Sequence, residues 1–488
     1  MTTKNLVLGF DGADGDFIDA MIAGGELPNF ARIRKNATVQ PIDNAPGQGN
    51  VQLWKCAAIG EGPDHHGRYF YLQFDPKTYD IRLAGELGLP ELTPFWVRLD
   101  NEGYRVAVID WYGMPPTPLK NGAIIDRWLP HESLTEAVFA PESLRAETEK
   151  YVPFNPIAES FASRKRQTPE ALKDFFERVL ARIEGKARFF AEHLKSQDWD
   201  LYMACFSDAH SIGHYYYHLQ DEEHWRYDPE AAALIREPLQ QCYRALDKAM
   251  GIILDAVSED TNVFLFAGPG MEPFTSANTA LDEIARRMDF GYSASHAAPL
   301  SSAETAKKTY RAFLPERLRR RLAPLARALR QRFIDNDYKR RRFFSIPHGS
   351  GAGAIRINKK GRERYGVIAP GAEYDELVEE IREGLSSFLD ADDGRPIVKR
   401  VVCMAHEYDG PYRDMLPDIV VEWQRDGRHG GFRRIVSEKF GEIDVPPSIR
   451  SGDHHERGYL WSPAKLDLPT APARPECVAA ILLSAVRG

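Results

Sequence analysis

Short runs of apolar, β-branched and aromatic residues alternate along this chain with long stretches of helical periodicity. That alternation predicts an α/β fold, a mostly parallel central sheet covered by helices on both faces. Three runs stand out: Leu6 to Phe10, Leu201 to Phe206, and Val263 to Phe266. Each stops abruptly at a polar or glycine-rich turn, D-G-A-D, S-D-A-H-S-I-G-H and A-G-P-G-M respectively. In open α/β sheets, ligands bind beyond the carboxyl ends of the strands. These turns are therefore expected to converge, and the chemistry to lie among them.

A different texture occupies residues 296–345. Leu314, Leu318, Leu322, Leu325 and Leu329 recur at three- and four-residue spacing, which predicts one apolar stripe on a helix whose other faces are crowded with arginine. Pro324 is expected to kink it. Two readings stay open: a helical insertion with a solvated basic face, or a lid or membrane-surface element that draws anionic ligands toward the site. Beyond it, G-A-I-R-I-N-K-K-G-R-E-R-Y-G-V-I resumes strand-like alternation. The expected division is thus 1–295 and 346–488 as two parts of one core, with 296–345 as the basic helical insertion between them. No internal repeat or low-complexity tract interrupts this pattern.

Composition narrows the function. The 488 residues are 43% hydrophobic, enough for a large buried core, and the formal net charge of -8 argues against a nucleic-acid binder, which presents a basic field to phosphates. A small partner is expected. The opening M-T-T-K-N-L-V-L-G-F runs straight into a strand pattern without the features of a secretory signal, and no apolar run reaches membrane-spanning length. Cys56, Cys205, Cys242, Cys403 and Cys477 are scattered and odd in number, which suits a reducing compartment. The expectation is a soluble cytoplasmic protein.

The chemistry-bearing residues cluster where the strands end. Asp11 directly follows the first strand, placed to ligate a cation, although aspartate there is also a common turn former. His210 and His214 stand four residues apart, so on a helix their rings share a face and can hold one metal ion. Asp453, His454, His455 and Glu456 crowd a glycine-bounded turn near the C-terminus. For each histidine group the plain alternative is a solvated surface cluster; two groups from distant parts of the chain favour a shared metal.

In order and spacing, the segments V-L-G-F-D-G-A-D, W-K-C-A-A-I-G-E-G-P-D-H-H-G, P-L-K-N-G-A-I-I-D, I-R-I-N-K-K-G-R-E-R-Y-G-V-I, L-P-D-I-V-V-E-W and G-D-H-H-E-R-G resemble those of the type I phosphodiesterase and nucleotide pyrophosphatase branch of the alkaline phosphatase superfamily. The resemblance runs through nearly the whole chain. It implies an alkaline phosphatase-like fold and two metal ions, usually zinc, around a serine or threonine nucleophile. Counting back ten residues from Gly60, with Pro63, His66 and Gly67 in register behind it, the nucleophile position falls on Asn50. No serine or threonine lies between Val39 and Lys77. A carboxamide is neither basic nor a useful nucleophile, so a covalent phospho-enzyme is not expected. Cys56, the nearby thiol, falls on a position expected to pack behind the nucleophile as a buried structural cysteine.

By the same resemblance, one family metal maps onto His210, His214 and His454, with Asp208 as an alternative to His210. The other maps onto Asp11, Asn50, Gly268 and Pro269, of which Asp11 alone offers a metal-binding side chain. Three histidines leave open positions on a zinc ion, and imidazole ligands also tolerate iron or copper. Asn50 is then expected to orient a bound oxyanion or water, and Asp11, Asp453 or His455 to act as orienting groups or a general base. The first expectation is a metal-dependent enzyme with a single three-histidine site, acting on a small anionic phospho- or sulfo-type metabolite. The alternatives are a catalytically inactive relative that binds an anionic ligand or a protein partner, and a dinuclear hydrolase recruiting Asp14 or Asp64.

Overall fold

The computed structural model of the protein describes residues 3–44, 48, 50–114, 116–129, 136–153, 168–291, 337–349, 351–425, 428–448, 450–466 and 473–488. The leucine-striped segment and Pro324 lie outside the described residues, so most of the expected insertion does too.

The three runs singled out by their hydrophobicity are the strands Asn5–Phe10, Leu201–Phe206 and Asn262–Ala267, and they lie side by side. Asn5–Phe10 pairs in parallel with both of the others, Phe10 standing opposite Phe206 on one side and Ala267 on the other. The parallel run continues through Val106–Ile109 and Ala123–Asp126. Antiparallel strands close both edges: Val138–Ala140 at one, Arg457–Pro463 and then Ala37–Asp43 at the other. The sheet has eight strands among the described residues.

Why these strands read as unbroken apolar runs follows from burial on both faces. Leu6, Leu8 and Phe10 point into one core with Tyr202, Ala204 and Phe206, beneath the helices Pro169–Leu194 and Pro238–Leu254. Val7 points the other way, with Met203, Cys205 and Phe266, onto the helices Asn50–Ile59, Phe95–Asn101 and Cys477–Arg487. The side-chain period of two splits each strand between the two cores. The expected fold class, a mostly parallel sheet covered by helices on both faces, is the fold of the protein.

Between the strand Asn262–Ala267 and the return to the sheet at Arg457–Pro463, the chain builds a second, antiparallel sheet in the order Phe343–Ile346, Ala352–Ile357, Ile419–Trp423, Val398–Cys403. One face carries Ile355, Ile357, Ile419 and Val421 into a core shared with the helices Leu281–Phe290 and Ala372–Ser386. The other carries Phe344, Ala354, Val402 and Val420 onto Tyr69, Phe74 and Tyr79 of the first part of the chain. The second sheet is thereby packed over apolar contacts on the segment around the hairpin Leu72–Phe74 and Ile81–Leu83.

Candidate metal centre

The convergence of the three turns is fixed by backbone hydrogen bonds. Asp11 N–H donates to Phe206 O at 2.8 Å, Gly268 N–H to Phe10 O at 3.1 Å, and His210 N–H to Asp11 O at 3.0 Å. The last bond requires a close approach at Gly12, which has φ +73° and where a Cβ would lie 2.5 Å from the His210 Cα. Glycine is the residue that tolerates both conditions.

His210 and His214 lie on the helix Asp208–Tyr216, one turn apart on one face, 4.4 Å between ring centroids. His454 arrives on the short strand Gly452–His454, which pairs with Met271–Pro273 so that Met271 stands opposite His454. Its ring centroid is 4.5 Å from that of His210 and 5.1 Å from that of His214. One ligand atom from each of the three rings lies within 4.8 Å of the others.

The tautomers follow from the partners. His214 Nδ1 is 2.7 Å from Gly452 O, and His454 Nδ1 is 2.9 Å from Pro269 O. A carbonyl oxygen only accepts, so both Nδ1 atoms carry the hydrogen and both Nε2 atoms present a lone pair. His214 Nε2 is buried with no hydrogen-bond partner among the described residues. Backbone carbonyls orienting an imidazole in this way are the usual outer support of a metal ligand. Burial, then the Arg450 charge and the neighbouring His210 and His454, holds the His214 imidazole well below its ordinary pKa. Burial also lowers that of His454, against the opposing pull of Asp11 and Asp453. Both rings are neutral near pH 7, the form that binds a cation. The donor set and its orientation fit one divalent ion.

Asp11 is fully buried beside the trio, its Oδ2 3.0 Å from His210 Nδ1. His210 Nδ1 is also 3.0 Å from His454 Nε2. The other carboxylate oxygen, Asp11 Oδ1, accepts from Asn50 Nδ2 at 2.7 Å and from Trp54 Nε1 at 3.1 Å. Asn50 thus opens its helix with the amide nitrogen turned onto the carboxylate and its Oδ1 buried without a donor among the described residues.

The Trp54 indole also packs against Gly268, a position that the resemblance assigns to the second metal. A Cβ at Gly268 would lie 2.9 Å from Trp54 Nε1 and 3.2 Å from Asn50 Oδ1. Of the other acids considered, Asp14 caps the helix Gly15–Ala23 through Phe17 N–H and pairs with His455 Nε2 at 2.9 Å. Burial pushes the Asp14 carboxyl up, but the His455 hydrogen bond and charge and the Phe17 amide bring it net below the ordinary value. Asp64 accepts from Gly410 N–H at 2.8 Å and lies against His65. These residues do not assemble a second cation site.

Asp208, the alternative to His210, sits at the start of the histidine helix but is fully buried against Arg182, whose Nε donates to its Oδ1 at 2.7 Å. That pairing leaves His210 as the member of the trio. Asp453, expected as an orienting group or base, is buried one residue before His454 on the strand that delivers it, and its Oδ2 lies on the side of Gly351 and Arg425. His455 accepts Arg457 N–H at Nδ1 and faces Asp14 through Nε2, so both ring nitrogens are committed and it offers no free base. Cys56 is buried, as expected, 3.9 Å from His66 Nε2. The residues that sequence reasoning missed are Trp54 and the carbonyls of Pro269 and Gly452. An indole four residues after Asn50 carries no metal signature, and a carbonyl carries none at all.

Among solved structures the chain is similar to phosphonoacetate hydrolase from Sinorhizobium meliloti 1021. In complex with phosphonoacetate the TM-score is 0.51 at 13% identity, and with phosphonoformate 0.50 at 14% identity; each alignment covers 99% of this chain and 96% of that one. Murine ectonucleotide pyrophosphatase/phosphodiesterase 5 aligns over 99% of this chain and 95% of its own, at 12% identity and a TM-score of 0.47. At such identities the likeness concerns the fold. No curated protein sequence gives a significant match. The family model for type I phosphodiesterase / nucleotide pyrophosphatase matches residues 5–428, and the chain belongs to that family.

Proposed function

We propose that the protein is a metal-dependent enzyme on a phosphodiesterase scaffold, with a single divalent cation, zinc by preference, held by His210, His214 and His454. Its substrate is a small anionic metabolite of phospho- or sulfo-type, and it works without a covalent serine or threonine intermediate. The observation that carries this reading is the orientation of the trio: two Nδ1–H groups tied to backbone carbonyls, with the buried Nε2 of His214 left unpartnered. Zinc bound by three imidazoles retains an open position and supplies a Lewis acid for an anionic oxygen. Iron and copper also suit imidazole ligands. The solved phosphonoacetate hydrolase complexes, with phosphonoacetate and phosphonoformate bound on a similar fold, support a small anionic substrate here.

Asn50 has a supporting role in this reading. Its amide nitrogen fixes Asp11, and Asp11 Oδ2 lies next to His210 where a fourth donor or a proton acceptor is useful. Its Oδ1 is available to accept a hydrogen from a water or a substrate hydroxyl. A cytoplasmic location belongs to the same proposal: the five cysteines are all free thiols, and no described helix is long and apolar enough to cross a membrane.

Metal analysis of the purified protein separates this reading from its rivals. One ion per chain, retained through dialysis and lost in His214→Ala, is the expected result. None points to a non-catalytic binding protein, and two to a dinuclear hydrolase; either overturns the proposal.

A further inference from the structure

The helix that begins with Asn50 carries a second chemical feature. Lys55 is 6% exposed, Arg68 is 8% exposed, and Lys55 has no hydrogen bond or ion pair among the described residues. Among the described residues Arg68 donates only to its neighbour His66, from Nη1 to the carbonyl oxygen at 3.0 Å and from its backbone N–H to Nδ1 at 3.1 Å. Among the described residues, other buried cations are paired with carboxylates. Arg182 rests on Asp208, Lys186 on Asp110, Arg356 on Glu363 and Arg362 on Asp418.

The two cations are brought to one place by their neighbours: Cys56, the residue after Lys55, lies 3.9 Å from the His66 ring to which Arg68 is bonded. Burial first, and the Arg68 guanidinium second, hold the Lys55 ammonium down to about 8. His66, pushed down to about 3 by burial and then by Lys55 and Arg68, lies in the same cluster and is neutral. Among the described residues, the groups that act on Lys55 include no carboxylate, and Asp64 is engaged by Gly410 and His65. Gln52, one turn before Lys55, is fully buried with neither amide atom partnered among the described residues.

Like charges brought together out of water are tolerated when an anion joins them. We propose that Lys55 and Arg68, with the Gln52 amide as neutral donor, form a binding site for a small tetrahedral oxyanion, a phosphoryl, phosphonyl or sulfuryl group. At about 1.5 Å of helix rise per residue, Lys55 stands roughly 7.5 Å along the axis from Asn50. The site is separate from the metal centre in its residues and does not rest on the metal reading.

Calorimetric titration with inorganic phosphate, and separately sulfate, tests it in the full-length protein and in Lys55→Met, Arg68→Met and His214→Ala. Phosphate should bind wild type and His214→Ala with affinities within a few-fold of each other. Lys55→Met and Arg68→Met should each lose ten-fold or more while keeping the metal content of wild type. Should either cation variant fail to fold, the other and Lys55→Arg, expected to stay near wild type, decide the matter. Loss of phosphate binding in His214→Ala places the anion on the metal and overturns the proposal. So does wild-type affinity in both methionine variants, or no binding to wild type at millimolar phosphate.

Discussion

At the scale of single residues, what governs the site is which atoms are already satisfied. Asp11 Oδ1 holds two N–H donors, from Asn50 and Trp54, so only its Oδ2 is turned toward the histidines. Trp54→Phe removes one donor and keeps the ring packing against Trp111 and Phe266. Loss of such an outer contact should weaken metal affinity about 10–100-fold, measured by competition with a chromogenic chelator; unchanged affinity would show that the indole N–H does not support the site. Restoring a hydroxyl should not restore the family's chemistry. Asn50→Thr leaves Trp54 packed against Gly268, a position that offers no metal-binding side chain, so turnover of an aryl phosphodiester should stay feeble and show no burst, whereas a pre-steady-state burst would contradict this. Residue types revealed part of the arrangement: histidines spaced by four, and an asparagine where relatives keep an alcohol, are visible in sequence. The tautomers of His214 and His454 are not, because the groups that set them are the carbonyls of Gly452 and Pro269, which every residue possesses.

At the scale of elements, the strands were the most legible feature, because burial on both faces makes Leu6, Val7 and Leu8 apolar together without alternation. The four-residue spacing of His210 and His214 was legible and puts their rings on one face of a helix, whereas that the segment is helical and what its first residue does were not. Asp208, in sequence an alternative to His210 as a ligand, is the partner of Arg182, which lies 26 residues earlier on the helix Pro169–Leu194. The same long helix makes a prediction about pH. His193 is buried against the Tyr202 hydroxyl, 3.1 Å away, and burial lowers its pKa to about 4. In the unfolded chain it titrates near 6.5. Between those values the unfolded state binds the extra proton, so the stability contribution of neutral His193 is whole above pH 6.5 and is lost as pH falls toward 4. In urea unfolding, His193→Gln should flatten the decline of stability over that window by up to about 1.4 kcal/mol per pH unit. An unchanged slope would mean that this ring is already protonated, or solvated, in the folded protein.

At the scale of the whole molecule, the site exists because three parallel strands at the middle of one sheet release their turns at the same edge, and a strand 240 residues beyond the second turn brings His454 back to them. The second sheet is inserted between those events, packing Phe344 and Val420 onto Tyr69 and Phe74. Family membership over residues 5–428 was foreshadowed by ordered short segments, none decisive alone. What could not be read from them is the packing at Gly268: the Trp54 side chain enters next to that glycine, and volume complementarity across 214 residues has no local signature. The central claim is that imidazoles from two remote segments hold one cation. Anomalous scattering from crystals, recorded on both sides of the zinc absorption edge, tests it most directly. The account predicts one peak bounded by His210, His214 and His454; a second peak beside Asp11 and Gly268, or a lone peak away from the three rings, would contradict it.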